Sequence, residues 1–554
     1  MTIIKKYKIY LISIITILTG CSINQTAEQK SFPNQKSNKN NIRPNFLIIT
    51  TDDMGYSDLG AFGGNDMPTP NLDNLAMQGV RLTNFHTSIS CAPTRSMLMS
   101  GTGNHEAGLG AQRSSTFDGQ PGYERHITNR ILTLPERLQD AGYFTFMSGK
   151  WHLGNDVGQN LPRNRGFERS FAQLPGGFDH FKLNPDDEIP RTGAQVRTPY
   201  SEDGSMIEEL PDSYYSTNFF VEKMMGFLHQ SAADDRPFFA WFAPTAPHWP
   251  LQVHPDWLGK MRGQYDAGYD ALCIARQQAA LELGVLPEGA DLSNCPEIAK
   301  PWEQLTEQDK AINRRVMELY AEMVMHLDTE LGKIIAFLEE SGQLANTYII
   351  YHNDNGPDAV EIFDNRSKLS RFNNSLENMG QRDSWVNVGQ GWADAQSAPF
   401  RKNKGSQFEG GTRVPAFITA PNSQSQGRIS QSFLTVMDIA PTVLELAGIE
   451  EATENANGDP ILPMRGKSLA KILNDTSHTV HDKNETIALD MAGDSVLFQG
   501  DWKIVRPARQ DEWGLYNIKE DPSETVNLAN TNSEKLAAMI ALYDAHAQRI
   551  GIQR

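Results

Sequence analysis

Five runs rich in apolar, β-branched and aromatic residues, at 45–50, 143–147, 237–242, 347–352 and 414–419, are separated by stretches with helical periodicity. Short strands alternating with helices specify an α/β fold, a mostly parallel sheet flanked by helices. Four of the five runs lead into, or stop just short of, a polar residue capable of chemistry: Asp52, Lys150, His248 and Asp354. Ligands of parallel sheets bind beyond the carboxyl ends of the strands, so side chains from distant parts of the chain are expected around one site. After about Val436 the pattern changes to short strands at 487–489, 496–499, 502–505 and 514–516, followed by a helical stretch at 533–547. These read as a smaller C-terminal α+β subdomain, a short antiparallel sheet plus a helix. A chain of 554 residues exceeds the size at which one core keeps growing, so two structural units are expected.

Helix signals are clear elsewhere. Thr69-Pro70 has the form of an N-cap and first turn, with Leu72, Leu75 and Ala76 on one face and Gly79 as the stop. An apolar stripe runs from Val316 to Leu338 within residues 307–341, and His326 beside it reads as a packing histidine. Residues 253–311 and 358–398 interrupt the strand and helix rhythm as inserts near the active face, where long loops shape access.

Cys91-Ala92-Pro93-Thr94-Arg95, closed by Gly101, puts a thiol at a helix entrance with an arginine one turn away. Backbone N–H groups and the positive end of the dipole then face the space shared by Cys91 and Arg95, which suits an anion. Alone, the motif reads more readily as an ordinary buried thiol beside a surface charge. Asp52, Asp53, Asp354 and Asn355 offer three carboxylates and an amide oxygen, a set that suits a hard cation, Ca²⁺ or Mg²⁺, better than zinc. Each pair alone is also a common turn sequence.

Together these motifs resemble those of the type I, formylglycine-dependent sulfatases, and bacterial arylsulfatases in particular. Cys91 to Arg95 resembles the signature in which the cysteine is oxidised to formylglycine, with Thr94 where Ser is commoner. Residues 45–55, Gly149-Lys150-Trp151-His152-Leu153-Gly154, Ala246-Pro247-His248-Trp249-Pro250, Asn353-Asp354-Asn355-Gly356 and the 404–415 segment follow in the family's order. The resemblance implies an alkaline-phosphatase/sulfatase-like fold covering residues 44–435, with 436–554 as the C-terminal subdomain. It implies hydrolysis of sulfate monoesters, aryl sulfates foremost, though a small phenol, a steroid or a sulfated saccharide is left open as substrate. It implies that a maturation enzyme oxidises Cys91, that the hydrated aldehyde attacks sulfur, and that Asp52, Asp53, Asp354, Asn355 and residue 91 hold the cation. Arg95 would steady the diol, His152 assist its deprotonation or collapse, and His248 protonate the departing alcohol, a task for which imidazole is suited. Lys150, His248 and Lys404 would bind the sulfate oxygens, with Lys402 outside; on an extended segment Lys150 and His152 share a face. One hydroxyl that contacts sulfate in some sulfatases has no match.

The remaining features bear on compartment and partners. A formal charge of −18 without a basic stripe argues against nucleic acid. Lys5, Lys6 and Lys8 followed by an apolar run at 9–18 read as an export signal, and Leu18-Thr19-Gly20-Cys21 resembles a bacterial lipobox. Residues 1–20 would be removed by the export and lipoprotein-processing machinery, Cys21 lipidated, and 21–43 left as a flexible tether, giving a periplasmic, outer-membrane or cell-surface protein. Cys273 and Cys295 remain, which an oxidising compartment could join. Two other functions stay open: a phosphodiesterase or phosphonate hydrolase using the same cationic pocket, and a catalytically silent surface-binding lipoprotein whose Cys91 stays a thiol.

Overall fold

The computed structural model describes residues 43–113, 115–188, 198–287, 290, 295, 300–423, 427–455 and 457–553. The leader, Cys21 and the tether as far as residue 42 lie outside them. No helix among the described residues is long and apolar enough to cross a membrane.

A ten-stranded sheet organises the chain. At its centre five strands run parallel, in the order Thr347–Asn353, Asn45–Thr51, Phe238–Ala243, Phe144–Lys150 and Arg169–Gln173. The sheet is mixed at its margins: Ala416–Thr419 pairs antiparallel with Thr347–Asn353, and Tyr200–Glu202 antiparallel with Arg169–Gln173. The 414–419 run therefore forms a strand only from Ala416, and on an antiparallel edge of the parallel set.

The central strands carry apolar side chains at successive positions because both faces are covered. Leu47 and Ile49 point into one core with Phe146, Ala240 and Tyr351, while Phe46 and Ile48 point into a second with Met147, Phe239 and Ile350. The first core is roofed by Pro70–Gln78, Ser216–Ala232 and the long helix Glu307–Glu340, whose Thr306 N-cap accepts from Asp309 N–H. Insert 253–311 has a helix of its own, Gly268–Glu282, tied to the following segment by a Cys273–Cys295 disulfide with Cα atoms 6.1 Å apart. The second core is roofed by Cys91–Ser100, Leu134–Asp140 and Ile439–Ala447.

The C-terminal four-stranded antiparallel sheet spans Thr486–Ala488, Ser495–Gln499, Trp502–Arg506 and Gly514–Asn517. Val496, Phe498 and Val505 face the second core, whereas Leu497, Ile504 and Leu515 face Met539 and Tyr543 of the helix Ser533–Ile550. That helix runs one turn beyond the expected stretch and is closed by Gly551 at φ 78°.

Candidate active site

The parallel register brings the two acidic pairs together. Thr51 lies opposite Asn353 on neighbouring strands, and Asp354 N–H bonds Thr51 C=O, so Asp52-Asp53 and Asp354-Asn355 leave the sheet side by side. Asp53 sits at φ 67°, a conformation that costs a non-glycine residue energy and persists only when its surroundings hold it. All four side chains are buried. Asn355 donates its amide to Asp53 Oδ1 at 2.7 Å. Asp52 Oδ1, Asp354 Oδ1 and Asn355 Oδ1 are buried and lack a hydrogen-bond partner. Unpaired buried oxygens are rare and costly, and three of them on residues that leave the sheet side by side fit a hard divalent cation.

Cations crowd the same oxygens. Lys150 Nζ lies 2.6 Å from Asp52 Oδ2, and Arg95 donates from Nε to Asp354 Oδ2 at 2.9 Å, its Nη2 ion-paired with the same oxygen at 2.8 Å. Arg95 also donates to the carbonyl of Lys150 at 2.7 Å, so helix and strand are locked together by one guanidinium. Lys404 Nζ touches both oxygens of Asp53, at 2.6 and 2.9 Å, and Asp358 at 3.3 Å. Burial pushes the Asp53 carboxyl up to about 8, Lys404 pulls against it, and Asp358, Asp52 and Asp354 add to the rise. Lys404 itself loses from burial but is held well above the ordinary lysine value by Asp53 and Asp358.

Cys91 opens the fully buried helix Cys91–Ser100, with Ser90 as N-cap and Gly101 at φ 66° as the stop. Pro93 falls within the first turn, where its missing N–H costs nothing. Gln112 closes the helix entrance: its side-chain carbonyl accepts from Ser90 Oγ at 2.6 Å and from Ala92 N–H at 3.3 Å, with Cys91 Sγ at 3.8 Å. Cys91 Sγ also falls in one cluster with carboxylate oxygens of Asp52 and Asp354, every pair within 4.8 Å. Burial raises the thiol's pKa against the pull of Lys150 and Lys404, so an unmodified Cys91 is protonated at neutral pH and a weak nucleophile.

His152 and His248 complete the ring. The expected extended path from Lys150 to His152 is not what forms: His152 has φ 57°, so the chain turns sharply after the strand. Lys150 stays beneath the site on Asp52, whereas His152 lines the cavity. His152 Nδ1 is buried without a partner; His248 Nδ1 bonds the Trp249 carbonyl at 2.8 Å and its Nε2 lies 3.5 Å from Asp53. Burial pushes both imidazoles well below their ordinary range.

These groups line the floor of a cavity of about 1270 Å³, into which Cys91, His152, His248 and Lys404 project; Lys402 is not among its walls. His326 is remote from it, sandwiched between Tyr215 and Trp257 as a packing histidine. Four contributors escape the sequence reading. A Cβ on Gly176 or Gly177 would fall 2.5 Å from His152 Cε1 or 2.6 Å from His248 Cε1, so the glycine pair is what lets both rings lie flat under that loop. The doublet is visible in the sequence, but nothing there says what approaches it. Gln112 and Asp358 carry no local signal at all.

Residues 44–449 match the sulfatase family, and 402–545 match the C-terminal region described for N-sulphoglucosamine sulphohydrolase. An uncharacterized sulfatase of Schizosaccharomyces pombe is 38% identical over 92% of this chain and 94% of its own length. An arylsulfatase of Klebsiella aerogenes is 38% identical over 78% of this chain and 92% of its own length. Among solved structures, Ps i-CgsB in complex with k-i-k-neocarrahexaose superposes with a TM-score of 0.64 at 24% identity, covering 91% of this chain and 93% of that one. The phosphonate monoester hydrolase of Agrobacterium radiobacter gives 0.53 at 20% identity, covering 91% and 96%. At such identities the structural likenesses speak to the fold.

Proposed function

The chain belongs to the sulfatase family and is a sulfuric ester hydrolase, and from that premise we propose that it cleaves aryl sulfates foremost, using a formylglycine made from Cys91. The observation that carries this reading is the placement of the buried Cys91 thiol at a helix entrance within one cluster with Asp52 and Asp354. As a thiol, residue 91 is protonated there and suited to little; oxidised by a maturation enzyme, it would supply a hydrated aldehyde as nucleophile. Ca²⁺, or Mg²⁺ in its place, would be held by Asp52, Asp53, Asp354 and Asn355 beside residue 91, and would draw charge from a sulfate oxygen.

The chain's own residues supply the rest. Arg95, fixed by Asp354 and the Lys150 carbonyl, stabilises negative charge at residue 91. Lys404 and His248 reach the cavity and bind sulfate oxygens, while Lys150 holds Asp52 in place. His152 is neutral with an unpartnered ring nitrogen, the state required to take a proton from the nucleophile. His248 delivers a proton to the leaving oxygen once sulfate lies beside it, because the ester's negative charge favours imidazolium. The name of the Klebsiella relative supports the aryl preference. The leader and lipobox support an exported lipoprotein anchored through Cys21, with catalytic residues 44–435 followed by a C-terminal subdomain.

Peptide mass spectrometry of the tryptic fragment 82–95, on protein from a host that makes formylglycine, tests the reading together with turnover of 4-nitrophenyl sulfate. An aldehyde at residue 91 with turnover is expected. A thiol at residue 91 in an active preparation would refute the mechanism.

A further inference from the structure

The wall of the cavity beyond the sulfate groups has one feature with no part in the chemistry above. Arg366 opens the short helical turn Arg366–Lys368, and its guanidinium carbon lies 3.6 Å from the centre of the Trp249 ring. Trp249 packs on the fully buried Trp385 at 5.7 Å between ring centres, and its indole N–H donates to Asp358 at 2.7 Å. Asp358 in turn contacts Lys404, so the stack is fastened to the lysine that reaches the sulfate subsite. Asp364 grips the Arg366 edge through Nε and Nη2, and accepts from the backbone N–H of Arg366 and Ser367 at 2.8 and 3.1 Å.

Three consequences follow from that arrangement. The Arg366 charge is matched by Asp364, so the residue is not a second anion site. Its orientation is fixed by a ring on one face and a carboxylate on one edge, so a ligand meets it with little rotamer entropy still to lose. Its side chain is 18% exposed and lines the cavity, which means that what remains uncovered is presented to whatever enters. A fixed, flat, cationic surface favours a flat π face over a puckered ring.

We propose that the part of the Arg366 guanidinium left open to the cavity is the platform on which the aromatic ring of an aryl sulfate stacks, which makes Arg366 a specificity-determining residue for the leaving group. The proposal rests on the sulfatase reading, yet its binding arm can fail or succeed independently. Benzenesulfonate and cyclohexanesulfonate carry the same anionic head on a flat and a puckered ring, and neither can be hydrolysed. Calorimetry on the full-length protein should find benzenesulfonate bound about tenfold tighter than cyclohexanesulfonate. Arg366→Ala should bring that ratio to near one while leaving the affinity for inorganic sulfate unchanged. Arg366→Lys, which keeps the charge without the plane, should lose most of the preference too, and it serves as the second variant if the first does not fold. A preference that survives in both variants, or an equal loss for both sulfonates and sulfate, overturns the proposal. Intact flat-ring selectivity in a protein that never turns over 4-nitrophenyl sulfate would count against the sulfatase mechanism and for the Arg366 platform.

Discussion

Two buried charge clusters sit within this one domain, and they differ in how their oxygens end. In the C-terminal cluster, Lys503 is fully buried and bonds Glu409 at 2.8 Å and Glu524 at 2.9 Å. The other Glu409 oxygen meets His86 at 2.9 Å and Arg413 at 3.4 Å, and the other Glu524 oxygen accepts from Glu409 N–H at 2.6 Å. Three of those four carboxylate oxygens accept a hydrogen bond from the protein, and the fourth, Glu524 Oε1, is ion-paired with the Lys503 ammonium. Around Asp52, Asp53, Asp354 and Asn355, charges are as dense and burial is as deep, but three oxygens have neither a donor nor an ion-pair partner and the assembly opens into a cavity. Buried charge alone marks neither function nor stability. What separates the clusters is unsatisfied capacity: the closed one joins the 404–415 segment to the C-terminal sheet, and the open one is built for something that arrives later.

The largest effect that tests this contrast is Cys91→Ala, which should lower turnover of sulfate esters by at least about 10⁴-fold while shifting unfolding by about 1 kcal/mol or less. Loss of fold, or retained activity, would break the comparison from the open side. Lys503→Met should do the converse, costing about 3–5 kcal/mol of stability by leaving Glu524 buried without a cation and Glu409 with Arg413 alone among cations, with turnover per folded molecule kept within about tenfold. Chemical denaturation with activity normalised to folded protein reads both quantities. His248→Ala sharpens the picture inside the open cluster: loss of a general acid costs about a hundredfold for a poor leaving group such as phenol, and far less for 4-nitrophenol. Equal losses would assign His248 to sulfate binding alone.

The smallest effect concerns His481, near the closed cluster. Burial lowers its pKa, but Asp438 at 3.0 Å and Glu485 at 3.3 Å more than offset this and hold it above the ordinary histidine value. A raised folded-state pKa stabilises the protein below the unfolded value, about 6.5, and the gain is lost as pH rises through the folded value. The stability difference between wild type and His481→Gln, about 1 kcal/mol at pH 6, should therefore shrink toward alkaline pH. A difference independent of pH would mean that His481 contributes packing only.

How much of this was legible in the sequence depends on what fixed each residue. Asp52, Lys150, His248 and Asp354 follow strands whose apolar runs are unmistakable, and parallel pairing then gathers strand ends without further information. The Ala416–Thr419 strand reads the same as its neighbours although it runs the other way, because an apolar run carries no direction. His152 was found by motif, but its left-handed backbone and the Gly176-Gly177 loop above it are tertiary facts with no periodicity behind them. Gln112 and Asp358 lie on irregular segments and Arg366 on a single helical turn between loops, where position is set by the partners that a segment meets and not by its own pattern. Glu409 and Lys503 are separated by more than ninety residues and become one unit only through packing.

The disulfide between Cys273 and Cys295 has a consequence for the bench. It leaves Cys91 as the free cysteine among the described residues, and Cys21 is the remaining cysteine of the chain. In a preparation that begins after the tether, titration with a thiol reagent in denaturant, without reductant, counts the molecules in which residue 91 is still sulfur. The complement of that number is the modified fraction, so specific activity can be normalised to competent molecules before any two variants are compared.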